Sequence, residues 1–250
     1  MDTKSCTQYT QRGLLIVFEG LDRAGKTTQS QRLLESLQSE GYRVKLFRFP
    51  NRTTPIGQII NEYLKSKPDD NSNNIKNMDN ASTKMDNSTY YYYRALHLLF
   101  SANRWECLYE IETALQSGIH VIIDRYVWSG IAYTHARDEN KFPLSCCSSA
   151  DVGLTKPNIT IFLDIDTTNQ QTRGDWGTER NDSVSLQECV SNAYKKIMNH
   201  ETKKHDSFFV KVDANHDASD VFKDVKLIVD RRLKELKSDD SIVAPFLQME

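Results

Sequence analysis

The chain has 250 residues, 38% of them hydrophobic, and a formal net charge of -2 from 32 Lys and Arg against 34 Asp and Glu. This is enough apolar material for one domain with a single core, and the charge gives no general attraction to nucleic acid or to an anionic membrane, so any phosphate site must be local. No apolar run reaches membrane-spanning length, residues 1–12 lack the apolar core of a signal peptide, and Cys6, Cys107, Cys146, Cys147 and Cys189 show neither metal spacing nor an even disulfide framework. A reducing intracellular compartment follows, cytoplasmic with the nucleus open, and Asn80-Ala81-Ser82 and Asn87-Ser88-Thr89 read as coincidental glycosylation patterns.

In chain order, Leu14 to Phe18 form an apolar run that reads as a buried parallel strand. Gly20-Leu21-Asp22-Arg23-Ala24-Gly25-Lys26-Thr27 follows with the spacing of a phosphate-cradling P-loop, and residues 28–39 read as an amphipathic helix with Leu33, Leu34 and Leu37 on one face. In that context the backbone amides around Gly25 face a β-phosphate, Lys26 neutralises β- and γ-phosphate oxygens, and the Thr27 hydroxyl ligates Mg²⁺. Further strands are expected near residues 43–47, 120–123, 159–163 and 208–212, with helices near 56–64, 94–115, 128–137, 186–200 and 219–236. The alternation predicts an α/β fold, a doubly wound five-stranded parallel sheet flanked by helices, in one domain with its core at about 13–235. Residues 68–89 are dense in Asn, Asp and Ser and read as a flexible surface insertion, and 238–250 read as a loose tail. Tyr90 to Tyr93, without basic neighbours, read as packing at the start of the long helix instead of a stacking platform for bases.

Several residues fall where phosphate chemistry needs them. Asp124 closes the run Val121-Ile122-Ile123, so its carboxylate emerges at a strand's carboxyl end beside Arg125; Asp164, after Ile161-Phe162-Leu163, has the same signature, and spacing does not choose between them. Arg52, just past Phe49-Pro50, suits a bidentate grip on phosphate, while Phe100 and Arg104 share a helix face and can offer a flat surface and a hydrogen-bond fork to a base. Each of these also has a plain alternative: a turn cap, a surface charge or a core edge.

Taken together, Phe18-Glu19-Gly20-Leu21-Asp22-Arg23-Ala24-Gly25-Lys26-Thr27-Thr28-Gln29, Arg48-Phe49-Pro50-Asn51-Arg52, Leu98-Leu99-Phe100-Ser101-Ala102-Asn103-Arg104-Trp105-Glu106 and Asp124-Arg125-Tyr126 with Ser129-Gly130 and Pro157 resemble the thymidylate kinases of the eukaryotic type, over about residues 13–235. Adenylate and guanylate kinases share the P-loop but not this set. The resemblance implies ATP-dependent phosphorylation of dTMP to dTDP with Mg²⁺, in a homodimer that pairs through helices including the long one. It assigns Lys26, Thr27, Gly20, Ala24, Gly25 and Thr28 to ATP, makes Arg23 an arginine finger within the loop, and sets Asp22 against the acceptor's sugar hydroxyl. It gives Arg52 and Arg125 the dTMP phosphate, Asp124 the task of orienting Arg125 or a Mg²⁺ water, and Phe100 and Arg104 the thymine. Phe49, Pro50, Ser129, Gly130 and Tyr133 line that pocket, and Tyr126 crowds the place of a ribose 2′-hydroxyl. Residues 173–183 resemble the mobile lid, with Arg173 and Asp213 near adenine, although Asn181 stands where the family has a tyrosine.

The histidines do not cluster at metal-ligand spacing and read as packing or surface residues. Other readings stay open at this point: a kinase for another nucleoside monophosphate or a deoxynucleoside, a binding-only relative, or a GTP-binding switch, for which Thr83-Lys84-Met85-Asp86 resembles a guanine-reading motif, though it sits in the polar insert and no separate Asp-x-x-G motif accompanies it.

Overall fold

Five strands, each followed by helical chain, lie in a computed structural model that describes residues 11–66, 85–173, 183–201 and 208–238. The strands are β1 (Leu15–Gly20), β2 (Val44–Arg48), β3 (His120–Asp124), β4 (Ile159–Asp164) and β5 (Phe209–Asp213), all parallel in the order β2-β3-β1-β4-β5. β1 and β3 are buried along their whole length, as central parallel strands covered on both faces must be, which is why they read as unbroken apolar runs. β2, at the sheet edge, alternates exposed Lys45 and Arg48 with more sheltered neighbours.

The helices are α1 (Lys26–Ser39), α2 (Pro55–Lys65), α3 (Asn87–Gln116), α4 (Val127–His135), α5 (Leu144–Ser148), α6 (Thr167–Thr172), α7 (Val184–Glu201) and α8 (Ala218–Ser238). α1 packs against α8, while α4 lies between α3 and α7. Thr54 caps α2 by accepting a hydrogen bond from the Gly57 amide at 3.1 Å, and Pro55 takes the first helical position, where its missing N–H costs nothing.

Every strand and long helix expected from the sequence is present, with ends shifted by a residue or two, apart from α3. That helix starts at Asn87, inside the stretch expected to be a polar insertion, because the Asp86 carboxylate accepts from the Thr89 amide at 2.7 Å and nucleates the first turn. The tyrosines thus pack within the helix: Tyr93 is buried, Tyr90 stacks on Phe142 at 5.1 Å between ring centroids, and Tyr92 meets Tyr63 edge-on at 6.4 Å. The rest of the expected insertion, residues 67–84, lies outside the described residues, as do the tail after Ser238 and 174–182 of the expected lid with Asn181. α5, α6 and a 3-10 turn at Ser149–Asp151 carry no apolar periodicity long enough to have been read in advance.

The order places β1 at the point where the chain reverses its direction of winding, since β2 and β3 lie on one side and β4 and β5 on the other. Strand register then levels Arg48 with Asp124, and Asp124 with Phe18, two residues ahead of the glycine that opens the P-loop. Among the described residues no helix is long and apolar enough to cross a membrane.

Candidate active site

The carboxyl ends of β1, β2 and β3 open into a cleft of about 980 Å³ lined by the P-loop, the 48–52 loop, α3, α4, Arg173 and the turn after β5. That volume is at the upper end for small-molecule sites and suits more than one ligand. Gly25 begins α1 at φ 92°, a left-handed conformation that side chains adopt rarely, and it leaves the first amides of α1 facing the cleft. Lys26 is almost fully buried, with its Nζ donating to the Leu21 carbonyl. Burial and the nearby Arg125 guanidinium push its pKa down to about 7, against the raising influence of Asp22, Asp124 and Glu19.

The two strand-end aspartates have different partners. Thr27 Oγ1 donates to Asp124 Oδ2 at 2.6 Å, so the two residues expected to serve Mg²⁺ meet; Asp164 instead pairs with Lys211 at 2.5 Å on the far side of the sheet. Of the two tasks expected for Asp124, orienting Arg125 or a Mg²⁺ water, the first is not made through a hydrogen bond: Asp124 acts on Arg125 only as a nearby charge. Its second partner is Arg48, whose Nε donates to the same oxygen at 3.0 Å, and Arg48 is a cleft residue that the sequence reading passed over.

Arg125 finds its carboxylate in Asp22, which accepts from Nη2. Asp22 also accepts from Tyr133 Oη at 2.7 Å and Gln187 Nε2 at 2.8 Å. Burial raises the carboxyl's pKa, but Arg125, Lys26 and these donors outweigh it, so Asp22 stays ionised below the usual carboxylate range. Desolvation works against the charge on Arg125, and Asp22 more than restores it. Gln187, from α7, is a further residue that the sequence did not reveal, since nothing in a lone helical glutamine points across the fold to the P-loop.

Phe49, Pro50, Arg52, Phe100, Arg104, Tyr126, Ser129, Gly130 and Tyr133, the residues expected to meet the acceptor, all line the cleft. Arg52 is exposed and donates to Asn61 Oδ1 at 3.1 Å. Arg104 is more constrained than a simple base-reading fork: Nε and Nη2 grip Asp151 at 3.0 and 2.7 Å, both residues being buried. The guanidinium lies so close to α4 that a Cβ on Gly130 would sit 2.9 Å from Nη2, which is why the helix carries glycine there. Tyr126 is buried with Oη donating to the Thr155 carbonyl at 3.2 Å, so its ring, not its hydroxyl, forms the pocket wall.

Of the residues expected to meet ATP, Arg23, Ala24, Thr28 and Arg173 line the cleft, and Arg173 bridges the Arg23 and Ala214 carbonyls at 3.0 and 2.7 Å. Two expected ATP residues do not line it. Gly20 packs against β4, where a Cβ would lie 2.5 Å from the Leu163 carbonyl, and the exposed Asp213 carboxylate accepts from Asn215 N and Nδ2 at 2.9 and 2.7 Å. Ala214, His216, Asp217 and Ala218 make that wall instead. His97 is buried packing, held between Thr134 Oγ1 and the Cys147 carbonyl at 2.9 and 2.6 Å, and burial lowers its pKa. Among the described residues no group of three or more His, Cys, Asp or Glu is placed to hold a metal ion.

A P-loop at the switch point of a parallel 2-3-1-4-5 sheet, sharing one cleft with arginines on the opposite wall, defines a P-loop nucleoside monophosphate kinase. Comparison with known proteins narrows the class. The thymidylate kinase family pattern matches residues 18–225. Thymidylate kinases of Danio rerio and Homo sapiens are 37% and 36% identical, covering 86% and 87% of this chain and 89% and 90% of theirs. That of Plasmodium falciparum is 39% identical over 88% of this chain and 90% of its own. The solved structure of thymidylate kinase from Candida albicans matches at a TM-score of 0.74 and 31% identity, covering 95% of this chain and 99% of that one. The chain belongs to the thymidylate kinase family.

Two outcomes follow from the geometry. In the unfolded chain Lys26 titrates near 10.5, in the fold near 7, so between those values the unfolded state binds the extra proton and stability rises with pH; below about 7 the cost of the buried charge stands in full. Lys26→Met should therefore raise the melting temperature at about pH 6, with a gain that shrinks toward pH 10, while turnover falls by several orders of magnitude. Equal or negative shifts across that range, read by calorimetry, would contradict the burial argument. Separately, Arg104→Ala strands the Asp151 carboxylate in the core and should cost about 3 to 5 kcal/mol of stability, part of which the further change Asp151→Ala returns. Denaturant melts of both variants measure this; full additivity would show that the two side chains do not act as a pair.

Proposed function

We propose that this chain transfers the γ-phosphoryl group of ATP to dTMP, forming dTDP and ADP on the route to dTTP. The observation that carries the reading is the meeting of the two halves at Asp22: the P-loop that would hold the donor and Arg125 that would hold the acceptor phosphate are joined by one ion pair within one cleft. The nucleophile is a phosphate oxygen that is already anionic, so alignment and charge neutralisation suffice and no strong base is needed.

Lys26 and the amides of the Gly25 turn hold the donor phosphates. Arg23, at φ 60° in the left-handed region, is presented by the loop toward the transferring group, and Arg52 and Arg125 grip the acceptor phosphate. Phe100 stacks on the base, the remaining arm of Arg104 faces its carbonyl, and Asp22 with Tyr133 meets the sugar. Thr27 and Asp124, an all-oxygen pair 2.6 Å apart, suit Mg²⁺, which takes few protein ligands and otherwise phosphates and water. When bound, the ion neutralises charge on the β- and γ-phosphates.

The Candida albicans enzyme is described as having broad substrate specificity, so the strictness of the acceptor here is tested by a coupled ADP-release assay over all common monophosphates. dTMP should give the highest kcat/KM, and a purine monophosphate ahead of it would overturn the thymidylate reading. In that assay Arg23→Ala should lower turnover by about a thousandfold with dTMP affinity little changed, since an arginine finger acts on the transition state. A collapse of affinity with turnover retained would remove the finger role.

The dimer is part of the same reading. Tyr91, Leu98, Trp105 and Tyr109 are 67%, 48%, 41% and 83% exposed along one face of α3, three of them at seven-residue spacing, a stripe suited to the same helix of a second copy. Light scattering should give twice the chain mass, and Leu98→Glu should halve it. A wild-type monomer at micromolar concentration would refute the pairing. Four free cysteines among the described residues agree with a reducing compartment.

A further inference from the structure

Glu19, the penultimate residue of β1, is fully buried, yet no step of phosphoryl transfer calls for it. Its carboxylate is saturated with donors. Oε1 accepts from the Tyr126 and Ser129 amides at 2.9 and 3.1 Å, and Oε2 accepts from Ser129 Oγ and Tyr194 Oη at 2.5 and 3.0 Å.

Those two amides belong to the first turn of α4, whose N-cap residue, Tyr126, makes no side-chain cap of its own because its hydroxyl is given to Thr155. A carboxylate from a different strand therefore caps α4, and it does so one residue after Arg125, which stands at φ 67°. A non-glycine residue in the left-handed region stays there only when its surroundings hold it. The second oxygen reaches the guanidinium itself. Arg125 Nη1 donates to Ser129 Oγ at 3.2 Å, and a hydroxyl has a single proton. With that proton committed to Glu19, Ser129 must present a lone pair to Arg125.

We propose that Glu19 is a positioning residue for the acceptor phosphate: by capping α4 and orienting the Ser129 hydroxyl, it sets the Arg125 guanidinium in the place where it meets the phosphate. The proposal rests on the reading of Arg125 as a phosphate ligand. Asp22 holds one arm of the guanidinium through Nη2, while Nη1 donates both to the Gly20 carbonyl and to Ser129 Oγ at 3.2 Å, and the relay from Glu19 sets the second of these contacts.

Glu19→Gln keeps the size and one carbonyl oxygen for the amides but turns the other acceptor into a donor, which reverses the relay. The readout is the ratio of affinities for dTMP and thymidine, measured by calorimetry, because that ratio isolates the phosphate. Glu19→Gln should lower the ratio about tenfold, the loss of one well-placed charged hydrogen bond, with thymidine and ATP affinities within about twofold of the parent. Ser129→Ala, which removes the relaying hydroxyl but leaves the buried carboxylate with its donors from the Tyr126 and Ser129 amides and Tyr194 Oη, should lower it similarly and carries the test if the first variant does not fold. If Arg125→Ala lowers the ratio while both other variants leave it unchanged, or weaken dTMP and thymidine equally, Glu19 is merely structural and the proposal fails. If Arg125→Ala itself leaves the ratio unchanged, the phosphate role of Arg125 fails and takes the proposal with it.

Discussion

Buried charge, held in alternating sign at the carboxyl ends of β1 and β3, is the constraint on which the rest of the site depends. Lys26 and Arg125 would repel one another at this distance in a desolvated cleft, and Asp22, Glu19 and Asp124 stand among them. Removing Asp22 would leave the buried Arg125 guanidinium uncompensated, at a cost on the order of 3 to 5 kcal/mol, whereas removing the Lys26 charge relieves a desolvation cost. Lysine at about 7 is only partly protonated near neutrality, and a phosphate beside it would favour the charged form that burial opposes.

This arrangement explains why the acceptor wall is braced from behind. Ser101 Oγ donates to Asp151 Oδ1 at 2.7 Å, Asp151 grips Arg104, and Trp105 Nε1 donates to the Ala150 carbonyl at 3.1 Å, so the short segment from α5 to the 3-10 turn forms a second layer behind α3. Gly130 removes the one side chain that would push α4 away from the Arg104 guanidinium. On the other flank, Gln170 donates to Gln187 Oε1 at 2.8 Å, which turns the amide donor of Gln187 toward Asp22. Residues from 17 to 165 positions apart in the chain thereby fix one another's rotamers. A phosphoryl-transfer site needs this more than it needs an acid or a base, because its chemistry is mostly alignment.

The sequence carried the local rules well. Apolar runs bounded by polar turns located all five strands, most clearly the central ones that are covered on both faces, and the glycine spacing located the phosphate loop because glycine takes the left-handed turn at Gly25 without the strain that a side chain brings. The start of α3 was missed for an instructive reason: composition is a property of a window, whereas a helix start depends on one cap, here Asp86, and on what the tyrosines behind it pack against. The motif match likewise placed Asp124, Arg125 and Tyr133 in the cleft but not their partners.

What the sequence determined by itself was the inventory: a P-loop, strand-end aspartates, acceptor-side arginines, and the alternation that makes a doubly wound sheet. Only the tertiary structure decided who faces whom. It paired Arg125 with Asp22 and not with Asp124, chose Asp124 over Asp164 for the loop threonine, and tied Arg104 to Asp151 and Glu19 to the start of α4. The physical reason is range. Backbone conformation and hydrophobic period are set by neighbours a few residues away, while the partner of a buried charge is set by strand order and register, which bring together groups such as Glu19 and Tyr194 that no local pattern relates.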